Sequence, residues 1–455
     1  MWDLYFLLPA TPMEEYPEPT AVKQKSTPPL NYIFTLAIGL GFGTTAITWT
    51  FYNGNMIGFL EKNFQPRYAW MTSAFIGFIM TWDNIIAIFV QPYIGTRSDN
   101  TRSRFGRRMP YIIVGVPLAA IFFALIPLTA TQPLWVLILT ILAFNMSMAI
   151  YRSPVVALMP DLTPKEHHSK ANGIINLVGG VFAGVALLVG GSLVKSQGFF
   201  MGFLVMSVIM IVTFILFLLL VKEPELPQDV VEKETPKVSL KEEVVALLDP
   251  ANKSKLFILL GISSWFMAWN ALEVWLPPYI AVNILGETNP TLKSYEEAIG
   301  TANSAIFLVP IIFVLMVLPG GFLGEKFGQK QIIGVGLLIF LGGMIFGLFQ
   351  TSIGMVSLSF MVAAVGWAFI NVNSIVIVWG LSKKNIGAGT GLYYLASSVA
   401  AILGPISFGF LRDISGTLYG IWGFSIFWLA LAVLLMTQVH YNHDSEIEMP
   451  VLLED

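Results

Sequence analysis

The chain has 455 residues, 55% of them hydrophobic and only 12% charged, with a mean hydropathy of +0.73. A soluble domain carries about 25% charged residues, so the composition excludes a soluble globular protein and implies a polytopic membrane protein. A net charge of −3 over such a length says nothing about partners, although no nucleic acid is expected, and the lack of cysteine excludes disulfides, thiol catalysis and cysteine metal sites.

Residues 1–30 form a tail with one short apolar patch. No basic segment precedes the patch, and Pro and Glu follow it, so it does not read as a cleaved signal peptide. A helix needs about 20 apolar residues to cross a hydrocarbon core of roughly 30 Å. Twelve segments qualify: 31–60, 68–96, 111–130, 134–159, 170–194, 200–221, 256–283, 297–319, 332–350, 354–380, 388–411 and 418–440. Pro117, Pro154, Pro277, Pro278, Pro310 and Pro405 do not argue against them, because neighbouring helices satisfy the freed backbone groups. The expected class is all-α, with six-helix bundles at 31–221 and 256–440 and a second tail at 441–455. In the polar stretch 222–255 between them, Ser239-Leu-Lys-Glu242 before "VVALL" fits a capping box and predicts a short amphipathic surface helix.

With both tails and the central stretch in the cytoplasm, 19 Lys and Arg lie on that side and five on the other (Lys62, Arg67, Lys195, Lys293 and Arg412). Positive residues favour the cytoplasm. The expectation is a multi-pass cell-membrane protein with both termini cytoplasmic.

Taken in chain order, the spans carry polar and aromatic residues that lipid would not tolerate unpartnered. Span 1 has Trp49, Tyr52, Asn53 and Asn55; span 2 has Asp83 near its middle, in "TWDNIIAIF", and Gln91; span 4 has Asn145 and Arg152. Span 7 has Trp265, Trp269, Asn270 and Glu273, the last two sharing a helix face. Span 10 has Asn371 and Asn373, and span 11 has Tyr393. An ionisable residue at mid-helix costs about 2.5–3.5 kcal/mol, so Asp83, Arg152 and Glu273 are functional candidates. For each a bland role competes: Asp83 satisfied by Asn84, Arg152 snorkelling toward Asp161, Glu273 in a water-filled vestibule.

Two loops repeat. After span 2 come Gly95, Asp99, Arg104, Gly106, Arg107 and Arg108; after span 8 come Gly321, Glu325, Lys326, Gly328 and Lys330. Both read glycine, acid, base, glycine and further base, at matching places in the two halves. Parallel six-span repeats are a transporter plan. Glycines allow close helix approach, and arginines at the membrane surface form bonds that break and reform as halves rock. The loops therefore read as a conformational latch, besides anchoring topology. "GAGTG" at 387–391 opens a span and reads as helix packing, His167-His168 hold no metal-binding geometry, and Thr163-Pro164 reads as a helix start.

The pattern resembles the major facilitator superfamily. The longer "QPYIGTRSDNTRSRFGRRMPYIIVG" resembles the sucrose/proton symporter family, allied to the glycoside–pentoside–hexuronide cation symporters. "YRSPVVALMPDLTPKEHHSKANGIIN", with Arg152, Asp161-Leu162-Thr163 and Ala171-Asn172, is similar to that family's fourth span and following loop. The resemblance implies the major facilitator fold, alternating access and proton-driven symport of a disaccharide or glucoside. Asp83, Arg152 and Glu273 are then the coupling candidates, and the amides, Trp and Tyr named above line a sugar site. It implies no cofactor, no metal, no enzymatic reaction, a bilayer-embedded monomer, and sodium as the alternative coupling ion. An efflux carrier and a non-transporting sugar sensor stay open as alternatives.

Overall fold

The computed structural model describes residues 29–224, 247, 252–382 and 386–441. Among these, twelve helices are long and apolar enough to cross a membrane: Tyr32–Arg67, Ser73–Asp99, Met109–Thr131, Leu134–Leu162, Lys170–Gln197, Phe199–Leu220, Lys253–Ile284, Lys293–Phe327, Gln329–Leu348, Ile353–Ser382, Ala388–Ser415 and Gly420–Thr437 (spans 1 to 12). Each falls on an expected segment. In lipid every backbone group must find its partner within the chain, so hydropathy alone fixes these elements as helices. Span 8 begins ahead of its expected limit, because Tyr295 and Glu296 pack their side chains into the protein. The helix expected to start at Thr163-Pro164 instead opens with a 3-10 turn, Lys165–His167, and the α-helix begins at His168. The amphipathic helix expected at Ser239 lies outside the described residues.

The halves pack by one scheme. Span 1 lies against spans 5 and 6, span 4 against 2 and 3, and span 3 against 6; span 7 lies likewise against 11 and 12, span 10 against 8 and 9, and span 9 against 12. The turn glycines match too: Gly106 (φ 96°) corresponds to Gly328 (φ 94°), and Gly198 (φ 88°) to Gly416 (φ 69°). Only glycine adopts such φ without a Cβ penalty.

Span 2 against span 11, span 5 against span 8, and span 1 against span 7 join the halves. At the first of these seams Gly77 lies under the Pro405 carbonyl and Gly409 under that of Ser73, so neither has room for a Cβ. Spans 2 and 8, which correspond, are both interrupted. Span 2 breaks at Thr81, between Ser73–Met80 and Trp82–Asp99; span 8 breaks at Ile306-Phe307, between Lys293–Ala305 and Leu308–Phe327. Interrupted helices at matching places mark where irregular backbone lines a cavity.

Candidate functional site

Both interruptions border a central cavity of two chambers, each of about 210 Å³. One has mostly polar walls, with Asp83 and Asn84 from span 2, Arg152 from span 4, Trp49 and Asn53 from span 1, and Asn270 and Glu273 from span 7. The other is mostly apolar, with Trp269, Phe313, Phe360 and Trp367 around it and Thr50 and Asn303 among its few polar groups. Asn53 and Glu273 border both. Asn53 Nδ2 donates to Glu273 Oε1 at 2.9 Å, so this pair divides the chambers and joins the halves.

In the polar chamber Asp83 sits in the first turn after the span 2 break, where Asn84 Nδ2 donates to its Oδ1 at 2.9 Å. Among the described residues no hydrogen bond or ion pair holds the Arg152 guanidinium. It faces the chamber as a charged donor set, opposite two carboxyl groups from different halves. An arginine at this depth stays charged and requires an anionic or dipolar partner. A ligand with hydroxyl groups supplies such dipoles.

The remaining residues expected at the site lie elsewhere. Trp265 is fully buried in the C-terminal half, Tyr52 packs on Phe144, and Asn145 is buried with neither amide atom hydrogen-bonded. Asn55 donates to the Phe51 carbonyl, 2.9 Å, and accepts from Asn303, 3.1 Å. Asn373 donates to the Gly320 carbonyl at 3.0 Å, fixing span 10 on span 8, and Tyr393 accepts from Ser374 at 3.4 Å. Gln91 and Asn371 border neither chamber. Conversely, Asn303, Phe360 and Trp367 border the cavity although the sequence expectations do not include them, and Asn84 borders it as the neighbour expected to satisfy Asp83. Asn303 had one legible signal, an amide inside a span.

The loop arginines divide into two groups. Arg108 Nε donates to Asp161 Oδ2 at 2.9 Å, its Nη1 to Ser98 Oγ at 2.5 Å, and its Nη2 pairs with Asp99. Arg107 Nη2 donates to Asp161 Oδ1 at 2.6 Å. Glu223 caps the start of span 3 by accepting from the backbone N–H of Arg108 and Met109, 2.8 and 3.0 Å. Arg104 instead covers the Phe105 ring, 4.7 Å away. In the second loop Lys326 covers Phe327 at 5.2 Å, Lys330 Nζ donates to the Val439 carbonyl at 2.5 Å, and Gly321 meets Val372. Each described contact stays within its own half. Gly95 and Asp99 belong to the first cluster, the Gly95 carbonyl accepting from Arg108 at 3.4 Å.

The opposite face, away from the first and last described residues, holds a network the sequence reading passed over. Arg412 and Tyr295 both bond the Glu61 carboxylate, and Lys62 pairs with Glu296, which also accepts from the Phe199 N–H. Asp413 accepts from the N–H groups of Ser73 and Ala74 at 2.7 and 2.9 Å, capping the start of span 2 from the other half. Every described hydrogen bond between the halves lies on this face or at mid-depth, so this face is the sealed one.

Twelve spans in two matched bundles, around a chamber with charged residues from both, define a membrane carrier. The sequence model of the Major Facilitator Superfamily matches residues 38–298 and again 288–448. The chain belongs to that superfamily and is a multi-pass membrane transporter of its type. An uncharacterized symporter of Synechocystis sp. is 33% identical over 144 residues, 30% of this chain; the match spans about a quarter of that relative's length (26%). In fold the chain is similar to a mutant of the nucleoside transporter NupG (TM-score 0.68, 14% identity, 90% of this chain and 100% of that one). It is also similar to an inward-facing, unoccupied bacterial homolog of the human lysosomal transporter Spinster (TM-score 0.61, 17% identity, 90% and 95%).

Proposed function

We propose that this carrier is a proton-coupled sugar symporter working by alternating access, with a disaccharide or glucoside as substrate. The observation that carries the reading is the polar chamber: Asp83 and Glu273, from opposite halves, face Arg152 beside the neutral amides of Asn53, Asn84 and Asn270. Amides and a guanidinium suit hydroxyl groups, and a carboxyl that exchanges a proton between two access states couples the two movements. The symporter named among its relatives and the motifs around Arg104 and Arg152 support it. One proton crossing 100 mV releases about 2.3 kcal/mol. That suffices for roughly 50-fold accumulation, at about 1.4 kcal/mol per tenfold.

In this reading the face with both described ends is cytoplasmic, as the excess of Lys and Arg on that side supports. The structure is then a state closed to the outside. The loops after spans 2 and 8 serve as latches that pair across the halves when the other face closes.

The experiment is uptake of a panel of labelled sugars by the purified carrier in vesicles, with a pH gradient imposed and sodium present or absent. Accumulation driven by the pH gradient without sodium is expected. Accumulation that needs sodium assigns the coupling to that ion, and binding without accumulation assigns a sensor.

A further inference from the structure

The arginines at the end of span 2 are not all used by the fold. Arg107 and Arg108 share Asp161, and Arg108 also pairs with Asp99. Among the described residues no carboxylate pairs with Arg97, Arg102 or Arg104. Arg97 Nη1 donates to the Tyr93 hydroxyl at 3.1 Å, and Arg102 Nη1 donates to the carbonyls of Asp99 and Thr101 at 2.9 and 3.2 Å. All three side chains are exposed. A guanidinium has five N–H donors, so each keeps donors for a further partner.

Arg97 lies in a groove of about 420 Å³ with Tyr93, Thr96, Asn100 and Thr101. The other polar groups of the groove are bonded to the helix's own backbone. Thr96 Oγ1 donates to the Pro92 carbonyl at 3.0 Å, Asn100 Nδ2 to that of Thr96 at 2.9 Å, and Thr101 Oγ1 to that of Arg97 at 2.8 Å. The groove therefore presents one cation among short side chains. Phe89, Tyr93 and Arg97 are spaced by four and share a helix face. Phe89 is 71% exposed and Tyr93 61%. At 1.5 Å per residue, Phe89 lies about 12 Å deeper in the membrane than Arg97. The face thus passes from bare ring to amphipathic ring to cation, as a phospholipid passes from chain to headgroup. The repeat does not require this. In the register set by Gly95 with Gly321 and Asp99 with Glu325, span 8 has Leu315, Pro319 and Leu323 at these three places.

We infer that this face of span 2 is a docking site for an anionic phospholipid. The phosphate and acidic headgroup lie in the groove on Arg97, and an acyl chain runs down over Tyr93 and Phe89. Arg102 and Arg104 add positive field from the loop that follows. A guanidinium binds phosphate oxygens through two parallel N–H groups, and each basic residue at the membrane surface favours an anionic lipid about fivefold. A soluble anion gains only from the cations, whereas a lipid also covers the two bare rings.

The test titrates the purified full chain in detergent with phosphatidylglycerol or phosphatidylcholine carrying the same acyl chains, and counts bound lipid by mass spectrometry of the intact complex. The dissociation constant for the first phosphatidylglycerol is expected at least fivefold below that for phosphatidylcholine. Arg97→Gln is expected to bring this ratio below twofold. Equal constants for the two lipids overturn the inference, and so does a preference that Arg97→Gln leaves unchanged. Glycerol phosphate, a headgroup without chains, is expected not to displace the lipid; displacement at equal concentration overturns the inference and assigns a soluble anion. Where Arg97→Gln fails to fold, the double variant Arg102→Gln, Arg104→Gln decides: it is expected to lower the ratio at least twofold, and an unchanged ratio overturns the inference.

Discussion

Asn53 in span 1 donates a 2.9 Å hydrogen bond to Glu273 in span 7, and the two helices occupy corresponding places in the two halves. The bond is thus a direct tie between the two halves at mid-depth. Glutamine at 273 keeps an acceptor for Asn53, whereas leucine strands its amide. Glu273→Gln is expected to hold the half-saturation for sugar within threefold. Glu273→Leu should raise it about tenfold, or about 1.4 kcal/mol, within the 1–3 kcal/mol typical of a stranded buried partner. Equilibrium binding of labelled sugar to both variants checks this.

Under the proposed proton symport, Asp83 is the acid that carries the coupled proton, since it lies at the span 2 break inside the polar chamber. Asp83→Asn keeps its shape and its bond to Asn84 but holds no exchangeable proton. Accumulation driven by a pH gradient should fall at least tenfold, while exchange of internal for external sugar continues. Undiminished accumulation would remove Asp83 from the coupling role.

Arg152 faces the chamber with a planar set of donors. Lysine preserves the charge but presents a compact ammonium in place of the planar guanidinium fork, so it cannot reproduce bidentate bonding in a fixed plane. Arg152→Lys is therefore expected to lower the transport rate at least tenfold. A rate near that of the unaltered chain would identify a snorkelling residue whose charge alone matters.

The sealed face depends on Glu61, whose side chain is only 2% exposed between Arg412 and Tyr295. Removing the arginine leaves a buried carboxylate without its countercharge, which is strongly unfavourable. Arg412→Ala should shift the carrier toward the state open on that face. Because the chain has no cysteine, a single cysteine at Ser304, which sits between the halves near Ser192, reports this. Its labelling by a membrane-impermeant reagent from that face is expected to rise about tenfold; unchanged labelling would mean that the network does not hold the seal.

Arg108 ties three groups together, Asp161, Asp99 and Ser98. Arg108→Leu leaves two acids without their shared partner and is expected to cost about 1–3 kcal/mol of stability. Thermal unfolding in detergent measures this, with Arg104→Leu as the control expected to change little, since Arg104 rests on the exposed Phe105.

All twelve spans could be read from the sequence, because a backbone in lipid has no alternative to internal hydrogen bonding. The charged trio Asp83, Arg152 and Glu273 could also be read, because a charge inside a span has to be retained for a reason. The six-plus-six repeat followed from the two glycine-rich loops. The rotation of each helix about its axis did not. Asn53 and Asn55 lie two residues apart on span 1, on opposite sides of the helix, and only Asn53 borders the cavity while Asn55 is buried. Hydropathy averaged over a span cannot distinguish its faces when both protein and lipid are apolar. The seal was equally hidden: Glu61 meets Arg412 across 351 residues and Tyr295 across 234, and each alone reads as an ordinary span-end residue. The sequence by itself determined how many helices cross the membrane, their pairing into two halves and which charges sit within them. The tertiary structure decided which of those charges share a chamber, where the aromatic wall stands and which face is closed, because these depend on how helices rotate and pack against one another.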